Sequence, residues 1–318
     1  MVGEYVVALF GPTAVGKTAI AIAIAERLRA RGESPVAVSA DALQVYAGLE
    51  LLTGAPSRLE RARLEHRLVG FLPVDARFSV AEYAALAHAE IDALLAAGRR
   101  PLIVGGTGLY LRAAVAELAL RSAPAEGVRE RLETRLAHAG VETLHAELAR
   151  QAPWAAAAID PRDRRRVVRA LELLESGGLE PPAGPSQLWT ETTRHPTLLI
   201  ALSMDRAALS ARIDQRVEAI VAAGAVEEVR KAHAAGASET ARQALGFAEL
   251  LAGDVGALKR RTRAFSRRQV TWMRKLGGAH RLDVTGTSAD AVAGAVLELI
   301  DAAERPTAAP GQMSLDGA

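Results

Sequence analysis

Eight residues constrain this chain more than any others: Gly11-Pro12-Thr13-Ala14-Val15-Gly16-Lys17-Thr18. They follow an apolar, β-favouring run, Tyr5 to Phe10, and open an Ala/Ile-rich stretch, Ala19 to Arg29, with the character of a helix. Strand, glycine-bounded loop ending in Lys-Thr, then helix is the context that a phosphate loop requires. Gly11 and Gly16 let the backbone curl until successive N–H groups face inward, and the helix start adds its partial positive charge. Lys17 is placed for an outer phosphate, and the Thr18 hydroxyl for a Mg²⁺ that bridges phosphates. A chance Gly-rich turn would not carry four fixed positions and both flanks. The chain is therefore expected to bind a di- or triphosphate on an α/β core. A phosphate loop does not by itself name a reaction.

The rest of the chain sets the context. Its 318 residues are long for one average domain and comfortable for two, and half of them are apolar. No apolar stretch approaches the roughly 20 residues of a membrane span. Met1 to Glu4 hold no basic segment before the first strand, so no signal peptide is expected. There is no cysteine, which excludes disulfides and thiolate zinc sites and fits a soluble cytoplasmic protein. Seven histidines show neither metal-ligand spacing nor a Ser-His-Asp arrangement.

A second strand, Pro35 to Ser39, delivers Asp41 and Gln44 at its carboxyl end, where open parallel sheets meet their ligands. Position alone leaves Asp41 equally suited to catalysis and to capping a helix. Residues 47–78 read as loop. Ser79 with Glu82 forms a capping box for a helix to Ala97, stopped by Gly98. The strand Pro101 to Val104 then runs into Gly105-Gly106-Thr107-Gly108, with no acid where a hydrolytic NTPase usually keeps its Mg²⁺ ligand. No guanine-recognition Asn-Lys-x-Asp occurs either. Residues 122–195 read as a helical insertion with Trp154 and Trp189 as packing anchors. Thr197 to Ser203 returns to the sheet, helices run to about 276, Arg281 to Val284 is a last strand, and a helix spans 288–304. The expected organisation is residues 1–121 and 196–304 as the core, 122–195 as the insertion, and 305–318 as a disordered tail.

Of 39 basic residues only Lys17, Lys231, Lys259 and Lys275 are lysine, and the arginines cluster. Residues 161–169 carry five arginines, and residues 259–275 eight positive charges with no acid. At helical spacing Phe265 and Trp272 share a buried face, with Arg260, Arg263, Arg267 and Arg274 on another. An all-positive face suits a polyanion.

Together these pieces resemble the tRNA dimethylallyltransferase (isopentenyltransferase) family. The stretches that carry the resemblance are 11–18, Asp41-Ala42-Leu43-Gln44-Val45-Tyr46, Gly105 to Tyr110, Asp163 to Glu172, Arg242 to Phe247, and Thr262-Arg263 through Trp272. They keep the family's order and span nearly the whole chain. The resemblance implies a P-loop NTPase-like parallel sheet with a helical insertion that grips the anticodon arm of tRNA. It implies transfer of a dimethylallyl group from dimethylallyl diphosphate to N6 of adenine 37, with Mg²⁺ held at Thr18. Residues 11–18 would hold the diphosphate, with Thr13, Lys17 and Arg242 meeting its developing charge, and Asp41 would be the base. Asp41, Ala42, Leu43, Gln44, Thr107, Arg129, Arg165, Arg166, Val167, Val168 and Arg169 would meet tRNA, with adenine 37 leaving the anticodon stack. A cytoplasmic monomer without membrane contact is expected. The chain departs from the family at Ala42 (commonly Ser), at Leu52 to Ser57 (which lack the usual Lys), and at Glu65-His66-Arg67 (for Pro-His-His). The rivals are a free-nucleotide (adenylate) isopentenyltransferase, a nucleotide-kinase-type phosphotransferase and a non-catalytic RNA-binding module. The basic segments and the missing acid after Val104 weigh against the first two, and intact Lys17 and Thr18 against the third.

Overall fold

Six parallel strands set the frame of the protein, seen in a computed structural model that describes residues 5–120, 127–181 and 187–305. The elements in chain order are β1 (Val6–Phe10), α1 (Lys17–Ala30), β2 (Pro35–Ser39), α2 (Glu50–Thr53), α3 (Arg58–Arg63), β3 (His66–Arg67), α4 (Val80–Ala96), β4 (Arg100–Gly105) and α5 (Gly108–Val115). Then come α6 (Val128–Ala139), α7 (Val141–Gln151), α8 (Pro153–Ala157), α9 (Arg164–Glu175) and β5 (Thr197–Ser203). The last are α10 (Arg206–Ala222), α11 (Ala225–Ala234), α12 (Glu239–Arg242), α13 (Phe247–Leu251), α14 (Val255–Met273), β6 (His280–Asp283) and α15 (Ala289–Glu304).

The sheet runs β3-β2-β4-β1-β5-β6. All five residues of β1 are buried, as expected of a strand covered by helices on both faces. Its register sets Phe10 opposite Gly105 on one side and Ala201 on the other, so the loop leaving β1 emerges beside the carboxyl ends of β4 and β5. Beneath it, Ile20, Ile24 and Leu28 of α1 are buried in the core that α15 shares, each contributing about 2 kcal/mol. Arg27–Asp290 at 2.7 Å and Arg31–Asp301 at 2.6 Å join the same two helices at the surface. Residues 47–78 are more ordered than their Gly and Pro content suggests, because they hold two short helices and β3.

The chain forms two units, Met1–Leu118 with Leu188–Ala318, and Ala119–Gln187. The smaller unit has its own core, with Leu132, Leu144, Leu148, Val167, Val168 and Leu171 from four of its helices. Residues 188–195, expected with the insertion, pack with the α/β unit instead. Trp189 lies 4.5 Å from Trp272 between ring centroids, and Arg194 reaches Asp92. Trp154, expected as an anchor, is 39% exposed. The tail from 306, the loop 182–186 and residues 121–126 lie outside the described residues. Among those described, no helix is long and apolar enough to cross a membrane.

Candidate active site

The loop after β1 has the strained backbone that its sequence calls for. Gly16 sits at φ +106°, a conformation L side chains rarely adopt, and Ala14 is also left-handed at φ +65°. The first turn of α1 has neither a side-chain cap nor an acid. By contrast α4, α10, α14 and α15 each spend a Ser or Asp on that task. The exposed N–H groups and dipole of α1 are thus left for an anion.

Lys17 folds back over the loop, donating to the carbonyls of Gly11 (2.9 Å) and Pro12 (3.0 Å). Burial pushes its pKa down to about 8, opposed by Asp41 and reinforced by Arg216. Asp41 caps no helix: it heads a turn, and its Oδ1 accepts the N–H of Leu43 at 3.0 Å. Gln44 is pinned at both ends, its Oε1 accepting from Ser39 (2.9 Å) and its Nε2 donating to the Gly54 carbonyl (3.1 Å). Behind Asp41, the Tyr83 and Tyr110 rings pack 4.5 Å apart, and Tyr83 donates to the Ser39 carbonyl. Burial and the nearby Asp41 charge raise both phenol pKa values, keeping the hydroxyls protonated.

The second cation is not the expected one. Arg216 of α10 lies over Gly54 and donates to the Thr53 carbonyl at 3.3 Å; desolvation lowers its pKa, and the field of Asp41 offsets this only in part. Arg242 is exposed and turns its Nε to the Ala237 carbonyl at 2.7 Å. The structure therefore gathers Lys17, Asp41 and Arg216, and leaves Arg242 outside that cluster. One turn earlier on α10, Arg212 approaches Gly16. The visible sequence signal was the Arg212-x-x-x-Arg216 spacing on the helix after β5, which keeps both guanidiniums on one face.

Helix α14 buries a mixed stripe with a polar middle rather than an aromatic face. Leu258, Thr262, Ser266, Gln269 and Met273 are buried, whereas Phe265 and Trp272 are only partly so. Gln269 accepts the Thr13 N–H and donates to the Gly106 carbonyl, each at 2.8 Å. A Cβ on residue 106 would fall 2.5 Å from that amide nitrogen, so the second glycine after β4 makes room for it. The charge of α14 is also less bare than its sequence suggests. Acids neutralise four of the eight cations in residues 259–275: Glu218 meets Lys259 at 2.5 Å, the N-cap Asp254 meets Arg260 at 3.8 Å, Glu249 pairs with Arg261 and Asp214 with Arg263. Among the described residues Arg267, Arg268 and Arg274 have no carboxylate partner.

In the smaller unit Asp163 caps α9, leaving Arg164, Arg165 and Arg166 exposed on its first turn. Val167 and Val168 are core residues at 0% and 1% exposure, so their side chains cannot meet RNA. Arg129 and Arg169 converge on the fully buried Glu172, at 2.5 and 3.1 Å. Thr107 begins α5 with its hydroxyl unused among the described residues.

Fold and loop define a phosphate-loop α/β protein of the P-loop NTPase-like type. The IPP transferase family model matches residues 44–276, and the isopentenyl transferase model matches residues 4–69. A tRNA dimethylallyltransferase of Symbiobacterium thermophilum is 40% identical over 294 residues, covering 89% of this chain and 90% of its own, and that of Thermobifida fusca is 41% identical over 87% and 89%. The full-length tRNA isopentenylpyrophosphate transferase of Bacillus halodurans superposes with a TM-score of 0.68 at 32% identity, covering 94% of this chain and 96% of its own. A eukaryotic dimethylallyltransferase acting on tRNA shares the fold, with a TM-score of 0.71 at 21% identity and coverage of 94% and 79%. The chain belongs to the IPP transferase family.

Proposed function

We propose that this chain transfers a dimethylallyl group from dimethylallyl diphosphate to N6 of adenine 37 in tRNA, releasing diphosphate. The observation that supports this most is the grouping of one carboxylate and two cations, Asp41 with Lys17 and Arg216, at the carboxyl end of the parallel sheet. In the reaction the allylic C–O bond breaks, the new C–N bond forms, and N6 gives up a proton. Charge grows on the departing diphosphate, where Lys17, Arg216, the Thr13 hydroxyl and the α1 N-terminus stabilise it. Asp41 accepts the proton from N6.

Diphosphate chemistry commonly needs a divalent metal, and the site suits Mg²⁺. The half-buried Thr18 hydroxyl has no partner among the described residues, and no group of three His, Asp or Glu forms a competing cage there. Mg²⁺ takes one or two protein oxygens plus phosphate and water, so Thr18 and the diphosphate suffice. Bound there, it would neutralise phosphate charge. The exposed arginines at 164–166, with Arg267, Arg268 and Arg274, are the groups we assign to the tRNA backbone, and residues 41–44 and Thr107 those we assign to the target nucleotide.

The deciding experiment supplies Mg²⁺, labelled dimethylallyl diphosphate, and either unmodified tRNA or AMP. Label at adenine 37 is the expected result. Label in AMP alone would make the chain a free-nucleotide enzyme, and ATP consumption without prenyl transfer would make it a phosphotransferase.

A further inference from the structure

We infer that Gln269 is a positioning residue for the diphosphate site, holding Thr13 in place from the helix that carries the basic face. This rests on the prenyl-transfer reading. Within that reading it assigns a role to a side chain that touches neither substrate.

Three observations converge on it. Gln269 is 5% exposed and its amide uses both ends, Oε1 on the Thr13 N–H and Nε2 on the Gly106 carbonyl, at 2.8 Å each. Those partners lie 93 residues apart in sequence, in the loop after β1 and the loop after β4. One side chain therefore staples together the two loops that flank Lys17. A Cβ on residue 106 would lie 2.5 Å from the Gln269 amide and 3.3 Å from Lys17 Nζ, so the three groups share one small space.

The bond also divides the work within Thr13. A phosphate loop ordinarily aims its amides at phosphate oxygens, but the Thr13 amide is committed to Gln269. That leaves the hydroxyl, unused among the described residues, as this residue's donor to the leaving diphosphate. Without the staple the part-buried Thr13 N–H loses its acceptor, and the loop relieves it by turning that amide toward water or phosphate, which carries the hydroxyl away. A shift of about 1 Å is enough to cost a large factor in rate.

The experiment is a double-variant cycle on the full chain. Gln269→Leu, Thr13→Ala and their combination are compared for kcat with tRNA, for inorganic pyrophosphate affinity by calorimetry, for tRNA affinity and for melting temperature. Gln269→Leu is expected to lower kcat and pyrophosphate affinity tenfold or more while tRNA affinity stays within twofold. The double variant is expected to be no slower than the worse single one, because Gln269 acts through Thr13. Multiplicative losses, or a lower melting temperature with unchanged kcat and pyrophosphate affinity, overturn the proposal. If the leucine variant does not fold, Gln269→Glu keeps the acceptor for Thr13 but sets a carboxylate against the Gly106 carbonyl, and wild-type behaviour there overturns it equally. A wild-type chain that binds pyrophosphate yet transfers nothing to tRNA would sink the functional reading instead, and the positioning role is then judged on pyrophosphate affinity alone.

Discussion

Lys17 shows how one residue is tuned by what surrounds it. Burial lowers its pKa to about 8, because the low-dielectric loop disfavours the ammonium form. The free site therefore holds a nearly full cation only well below pH 8 and loses it as pH rises through that value. Catalytic efficiency toward dimethylallyl diphosphate should decline above about pH 8 while tRNA affinity does not follow, and a flat profile to pH 9.5 would remove Lys17 from the binding step. For folding the sign is opposite. The unfolded lysine keeps its proton to a higher pH, so this group's contribution to stability grows as pH rises from about 8 to the unfolded value of 10.5. Asp41 and Arg216 make the other claims at this scale. Asp41→Asn should remove most transfer, a loss on the order of 10²-fold or more for a general base, with tRNA affinity near wild type in filter binding. Arg216→Gln should cost more in dimethylallyl diphosphate kinetics than Arg242→Gln. The reverse ranking would return the leaving group to Arg242.

Elements differ in how openly their sequences announce them. The strand-loop-helix start, β2, β5 and the Ser79-capped helix lie within two residues of their expected limits, because each is set by local chemistry: apolar runs, a capping box, a stopping glycine. In the 47–78 segment α2 was not legible, since it is held by a tertiary contact, Glu228 accepting the Leu51 and Leu52 N–H groups, whereas α3 carries a local capping box, Ser57 with Glu60, that was passed over. The inner face of α14 was misread for a physical reason. Aromatic residues seven apart normally mark a core face, but here the buried positions are Leu258, Thr262, Ser266, Gln269 and Met273, and Gln269 spends its amide on the loops after β1 and β4. In the site, the phosphate loop and Asp41 could be read because they are contiguous motifs at a strand end. Gln269 could not, since it acts on residues far away in sequence, and Arg216 showed only as a spacing on α10 whose partners are equally distant. Glu172 invites a test at this scale. It is a fully buried carboxylate holding Arg129 and Arg169, both about a third exposed. Glu172→Ala should cost about 2 kcal/mol in chemical denaturation, below the range for a wholly buried pair because the freed arginines can turn to water.

At the scale of the whole molecule, a formal net charge of +2 conceals strong local contrasts. Some surface charge is paired, as in Arg27–Asp290 and Arg31–Asp301, and half of the eight cations in residues 259–275 are neutralised by Asp214, Glu218, Glu249 and Asp254. What stands out is the first turn of α9. Asp163 spends one oxygen on capping and lies 3.5 Å from Arg166, and Arg164, Arg165 and Arg166 are exposed together. If these arginines meet the RNA backbone, each releases condensed counterions, and affinity should fall with salt with a slope of about −0.7 to −0.9 per phosphate contact. Replacing Arg164, Arg165 and Arg166 by Ala should then weaken tRNA binding by about tenfold or more at moderate salt and flatten the log–log slope by about 2. Dimethylallyl diphosphate KM at saturating tRNA should stay unchanged. Arg31→Ala is the matched control, since it removes a charge already tied to Asp301 and should leave the slope where it was. An unchanged slope in the triple variant would move the RNA contact to Arg267, Arg268 and Arg274, and those three would be replaced next under the same criterion.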